Sequence, residues 1–177
     1  MMDAEELESE VVGTVQETQV KLGFSGGAES LYIPLDALAD DREGAERLLG
    51  EFALRVRPRL GEVECGIARG RARIVVPEEG CRRVASLPVS PVLRAMVDAV
   101  NSRIPVAELR RRLESDFPDC VWRDAAGDGF DHVVTFDPLT DPNVYCVGTE
   151  CGLLTYHRFS GRDFEAFGFS LDGLSTR

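Results

Sequence analysis

Lysine is almost absent from this chain: Lys21 stands alone against 19 arginines. Histidine occurs twice, as His132 and His157, and tryptophan once, as Trp122. So few imidazoles leave little material for a histidine-built metal site or a catalytic triad. Long apolar runs are missing as well, and nothing approaches the roughly 18 residues of a membrane span. The opening residues Met1-Met2-Asp3-Ala4-Glu5-Glu6-Leu7-Glu8 are acidic where a secretory signal is basic and then apolar. The expectation is a cytoplasmic protein with no membrane contact. Phosphate-binding loops are missing too, because Gly23-Phe24-Ser25-Gly26-Gly27 has no lysine and helix behind it. Neither a nucleophile elbow nor a histidine–glutamate zinc motif occurs.

What is present is acid. The 177 residues carry 31 aspartates and glutamates against 20 basic groups, a formal charge of −11, with 44% hydrophobic residues to build a core. Such a charge keeps copies apart and opposes loose sliding on nucleic acid, whose phosphates it repels. It is also compatible with adaptation to high internal salt, where screening relieves self-repulsion. Five cysteines, an odd number in a chain with no mark of export, point to reduced thiols rather than a disulfide framework.

Residues 1–10 hold five acids and little to bury, which predicts a disordered lead-in. From Val11 to residue 80 the pattern predicts a mainly β subdomain. Val20, Leu22 and Phe24 alternate with polar neighbours ahead of the Gly26-Gly27 turn, and a short strand follows at Ser30–Leu35. Asp40 to Gly50 reads as a short helix capped by its leading acids and ended by Gly50. Phe52, Leu54 and Val56 then alternate, as do Val63, Cys65 and Ile67, and Ala72, Ile74 and Val76. With loops at 58–61 and 69–70, all three sets land on one face of an antiparallel meander, Cys65 opposite Ile74 and Ile67 opposite Ala72. The other face then sets Arg57 against Glu62 and Arg55 against Glu64.

Residues 81–89 read as a connector. Ser90-Pro91 is a helix start, and Leu93, Met96, Val97 and Val100 make an apolar stripe at helical spacing. A second helix starts at Ile104-Pro105, carries Leu109 and Leu113, and closes at Phe117-Pro118. Strands are expected at Cys120–Arg123, His132–Phe136, Val144–Val147, Leu153–Phe159 and Phe164–Phe169, with a loose tail over 172–177. The fold class is therefore α+β: an antiparallel N-terminal meander, two central helices and a C-terminal antiparallel, aromatic-rich sheet. Residues 90–171 form the second subdomain, and the two halves are expected to share one core, with two small domains as the alternative the connector permits.

Three groups of residues could carry function. Tyr156, Phe159, Phe164, Phe167 and Phe169 place aromatics on both faces of the last strands, more than two helices can cover. Packing against the N-terminal half, a protein partner or self-association as a homodimer, or a small-molecule pocket would account for the surplus. Cys146 and Cys151, the only close cysteine pair, flank a glycine-bearing turn; with His157, Cys120 or Cys81 they could complete a zinc site, and Cys151 with His157 could serve a thiol enzyme. Arg55, Arg57 and Arg73 could form a nucleic-acid-binding sheet face, but no aromatic stands between them to stack a base. The reading favoured is a non-enzymatic adaptor or regulatory protein acting through a protein interface, with no cofactor. A small thiol- or metal-dependent enzyme using Cys151 and His157 stands second, and the arginine face as a nucleic-acid module third.

Overall fold

The computed structural model describes residues 2–24, 26–127 and 129–160. The chain divides into two compact units, Met1–Pro88 and Val89–Arg177. Together the described residues form six helices and two antiparallel sheets, an α+β fold with an aromatic cluster in the C-terminal sheet.

In the first unit, α1 (Ala4–Leu22) replaces both the disordered lead-in and the strand expected over 18–24. Acidity is what starts it. The Asp3 carboxylate accepts from the Glu5 and Glu6 amides at 3.0 and 2.9 Å, and Glu6 Oε2 accepts from the Asp3 amide at 2.9 Å. This reciprocal box satisfies amides that a helix start leaves open, and the early acids suit its positive end. Leu7, Val11 and Val15, four residues apart, lie on one face and are fully buried. Each contributes about 1.5–3 kcal/mol by leaving water, which offsets part of the entropy lost in ordering the segment.

After β1 (Glu29–Pro34) and the single turn α2 (Leu35–Leu38) comes α3 (Arg42–Leu60). Asp41 caps it, its side chain accepting from the Gly44 amide at 2.7 Å. The expected strand at Phe52–Arg57 is instead the second half of this helix. Phe52, Val56 and Leu60 continue the buried stripe of Ala45, Leu48 and Leu49, while Leu54 remains 73% exposed. A strand there would have buried all three alternating residues. Gly50 lies inside the helix, and Gly61, with φ +78°, follows its end.

The hairpin β2 (Glu64–Ala68) and β3 (Arg71–Val76) keeps the expected register, Cys65 opposite Ile74 and Ile67 opposite Ala72. Its third strand differs. β1 pairs antiparallel along the other side of β3, so the sheet order is β1-β3-β2. Residues 81–89 are not simply a connector, since α4 (Glu78–Ala85) occupies their first half and buries Cys81 and Val84. The unit is thus a helical layer on one face of a small sheet, not a mainly β subdomain over 11–80. Its core joins Leu7, Val11 and Val15 to Phe52, Val56, Ala72, Ile74 and Val76.

The second unit opens with α5 (Pro91–Asn101), capped by the Ser90 hydroxyl, and α6 (Val106–Asp116). Leu93, Met96, Val97, Leu109 and Leu113 are buried, as their spacing requires. Four strands follow, β4 (Val121–Gly127), β5 (Phe130–Thr135), β6 (Asn143–Glu150) and β7 (Leu153–Ser160), paired in chain order as an antiparallel meander. One face carries Tyr145 and Tyr156, their rings 5.9 Å apart, and an edge-to-face chain runs from Tyr145 through Phe136 to Phe117 at the end of α6. The opposite face carries Val133, Val144 and Cys146, all buried, with Phe130 and Phe159 beside them. The expected strand Phe164–Phe169 and the tail 172–177 lie outside the described residues.

Candidate interaction surface

The open side of the N-terminal sheet follows from its own alternation. Leu31 and Ile33 of β1, Ala72, Ile74 and Val76 of β3, and Cys65 and Ile67 of β2 belong to the core side. Period-two geometry sends Ser30, Tyr32 and Pro34, Arg71, Arg73 and Val75, and Glu64, Gly66 and Ala68 to the other. Tyr32 is 58% exposed. It stands directly opposite Arg73, which in turn stands opposite Gly66. The Arg73 guanidinium donates to the Ser30 hydroxyl at 3.4 Å. Arg69 and Gly70 close the hairpin with φ of +52° and +73°, the left-handed pair of a tight two-residue turn.

Many arginines elsewhere are ion-paired, although Arg47, Arg94 and Arg103 make no such pair among the described residues. Arg42, Arg82 and Arg110 pair with Glu46, Glu78 and Glu114 one helical turn away. Arg111 and Arg112 share Glu108, whose carboxyl is drawn down to about 2 by hydrogen bonds from both guanidiniums. Among the described residues, Arg69, Arg71 and Arg73 make no such pair. Gly66 and Ala68 alongside them add no bulk, so the Tyr32–Arg73 row is bordered by bare backbone.

The residues singled out in the sequence fall in several places. Arg73 alone belongs to this face. Arg55 and Arg57 ride on α3, so the three arginines form no common sheet surface. Arg55 donates to Glu8 at 2.7 Å and pairs with Glu5 at 3.3 Å, and Arg57 pairs with Glu62 across the helix end. The Arg57–Glu62 pair expected across two strands therefore exists in another setting, and the Arg55–Glu64 pair is replaced. The absence of an aromatic beside the arginines is also corrected. β1 supplies Tyr32, and the signal for it was present, since Leu31 and Ile33 facing inward oblige Tyr32 to face outward.

Tyr156 is buried against Tyr145 and so is not a free contact residue, while Phe159 is half-buried on the opposite face. Phe164, Phe167 and Phe169 lie outside the described residues. Cys146 and His157 are cross-strand neighbours in the β6–β7 register, Cys146 buried and His157 exposed. Burial pushes the Cys146 thiol up to about 11, which opposes both thiolate attack and metal ligation. Cys151 sits at the hairpin turn with φ +51°, exposed and bordering an open depression of about 530 Å³ beside Arg103 and Glu150. Four residues of strand separate that turn from the Cys146–His157 pair, a distance of about 13 Å at the usual rise. Cys151 and His157 are thus held apart. Among the described residues, no group of three or more histidine, cysteine, aspartate or glutamate side chains is placed to hold a metal ion. No helix among them is long and apolar enough to cross a membrane.

A family model described as "Domain of unknown function, E. rectale Gene description (DUF3877)" matches residues 4–168. No curated protein and no solved structure matches the chain.

Proposed function

The chain belongs to this family of unknown function, and from that premise we propose that it is a non-enzymatic adaptor or regulatory protein acting through a protein–protein interface. The interface is the open side of the N-terminal sheet. The observation that carries this reading is Tyr32, 58% exposed and directly opposite Arg73, in a row without carboxylate partners. Tyrosine and arginine are the side chains that contribute most to binding when a partner dries them. An arginine with no carboxylate beside it inside an acidic chain is a vacant site for one. The partner is accordingly a protein presenting acidic side chains around an apolar or aromatic contact. The raised thiols at Cys65, Cys81, Cys120 and Cys146 favour this reading over thiol chemistry.

The test compares the immobilised chain with its Tyr32→Ala/Arg73→Glu variant, both checked for unchanged circular dichroism. A protein retained by the first and lost from the second is expected. Identical retention by both, or retention of nucleic acid in place of protein, overturns the proposal.

A further inference from the structure

One edge of the same sheet leads to a definite partner. The tight turn at Arg69-Gly70 makes Ala68 and Arg71 a hydrogen-bonded pair, because a two-residue hairpin closes on such a pair. Alternation then makes Gly66–Arg73 and Glu64–Val75 hydrogen-bonded pairs as well. The amides and carbonyls of Cys65 and Ile67 consequently point away from β3, along the outer edge of β2. Among the described residues β2 pairs with β3 and no other strand. Natural sheets guard such an edge with proline, charged side chains or a bulge. β1 carries Pro34, whereas Glu64-Cys65-Gly66-Ile67-Ala68 has no proline, a single charge at its first residue, and an unbroken β3 register.

We infer that two copies of the chain pair antiparallel along β2, with a twofold axis at Gly66, into one continuous six-stranded sheet. This rests on reading the N-terminal sheet as the interaction surface, and it names a second copy as one occupant of that sheet. Only an antiparallel register centred on Gly66 engages the whole of β2. Cys65 then exchanges backbone hydrogen bonds with Ile67 of the second copy, Glu64 faces Ala68, and Gly66 faces Gly66.

The side chains match this register on both faces. On the core side, half-buried Cys65 and Ile67 meet each other across the axis and extend the apolar rows of Ile74 and Ala72. On the open side, Glu64 of one copy faces Ala68 of the other, with Arg71 in the next strand. Two strand spacings, about 9–10 Å between Cα atoms, lie within the combined reach of a glutamate and an arginine across a methyl group. Neither Glu64 nor Arg71 has an ion-pair partner within its own chain among the described residues. The two Arg73 side chains stay apart because both glycines lie between them. The paired sheet also places both Tyr32–Arg73 rows on one face.

A cross-link reads the register directly. Gly66 faces its counterpart as a non-hydrogen-bonded pair, about 4.5 Å between Cα atoms, inside the span a disulfide accepts. A Cβ at Gly66 meets nothing within 4 Å, so Gly66→Cys fits the fold. In a Cys151→Ser background oxidised with diamide, Gly66→Cys is expected to give a covalent dimer and Ala68→Cys at least about tenfold less. Light scattering on the reduced unmodified chain is expected to give twice the monomer mass. Ala68→Glu, on the exposed face, sets a carboxylate against Glu64 twice and is expected to weaken the dimer by at least about tenfold. Adding Glu64→Lys to that variant restores it. A strictly monomeric chain at high micromolar concentration, or equal cross-linking through Ala68→Cys, overturns the inference. Those results leave the Tyr32–Arg73 reading standing, just as a failed capture experiment leaves a measured dimer intact.

Discussion

The Tyr145 hydroxyl donates to the Asp141 carboxylate over 2.9 Å, and both residues are closed off from solvent. The same carboxylate accepts from the Ser90 hydroxyl at 2.6 Å and from the Asn143 amide and side-chain nitrogen at 2.8 Å each. One aspartate thus ties the cap of α5 to the start of β6 and to the aromatic centre of the C-terminal sheet. Burial, with the Asp141 charge adding to it, pushes the Tyr145 phenol far up, so it remains a donor throughout the accessible range.

Removing that aspartate strands three side-chain donors at once. Asp141→Ala is expected to cost about 3–5 kcal/mol, since each buried donor left unsatisfied costs about 1–3 kcal/mol. Tyr145→Phe removes one donor and keeps the ring packing, so about 1–2 kcal/mol is expected. Urea unfolding followed by the fluorescence of Trp122, the single tryptophan and a residue of the same unit, measures both. Equal stability of Asp141→Ala and the unmodified chain would contradict the network as described.

Much of this architecture was legible, and the gaps have physical causes. Ser90-Pro91 announced α5 because a capping hydroxyl and a proline at the first helical position are local devices. The Cys65–Ile74 register could be read because loop length and face assignment had to agree. The segment 52–57 misled because Phe52 and Val56, four apart, satisfy a period of two and a period of 3.6 alike. Leu54 was the only discriminating residue, and it lies on the solvent side of a helix. A strand at 52–57 would extend the sheet from β2, and the Gly26-Gly27 turn assigns β1 to the segment before it, so neither signal sets Tyr32 next to Arg73. The N-terminus misled because its composition outweighed its order: Asp3 and Glu6 form a capping box, and Leu7, Val11 and Val15 a stripe, among acids that otherwise suggest disorder.

Glycine-to-alanine changes are expected to have opposite signs at two positions. A Cβ on Gly80 would lie 2.4 Å from the Leu60 carbonyl oxygen, where α4 crosses the end of α3. Backbone cannot yield cheaply there, so Gly80→Ala is expected to cost about 2–4 kcal/mol. Gly50 lies inside α3 with nothing within 4 Å of its would-be Cβ. Gly50→Ala is expected to stabilise by about 0.5–1 kcal/mol through better helix propensity. Thermal unfolding followed by circular dichroism ranks the three proteins.

Glu8 is 6% exposed, and its two oxygens accept from Arg55 at 2.7 Å and Arg59 at 2.9 Å, joining α1 to α3. Both arginines reach water, which screens the pair and shrinks its contribution. Glu8→Gln is therefore expected to cost only about 1–2 kcal/mol. Arg55→Ala alone should cost less, since Arg59 still satisfies the carboxylate. Within a double-mutant cycle on Glu8 and Arg55, a coupling of zero would show that burial of the glutamate stem, and not the ion pair, holds the helices together.

Thiol reactivity supplies the last prediction. Burial raises the Cys146 and Cys120 thiols to about 11, with nearby acids adding to the shift at Cys120. At mildly alkaline pH a disulfide reagent is expected to label exposed Cys151 at once and Cys146 only on unfolding. The same shift governs stability, because the folded state keeps a proton that the unfolded chain loses above pH 9. Its contribution is complete below pH 9, falls through the interval to 11, and amounts to about 2–3 kcal/mol for buried Cys146. Partly buried Cys120 adds less. Unfolding midpoints between pH 8 and 11 should therefore fall more steeply for the unmodified chain than for Cys146→Ala. Parallel curves, or rapid labelling of Cys146 in the folded protein, would mean that the inner face of β6 meets water.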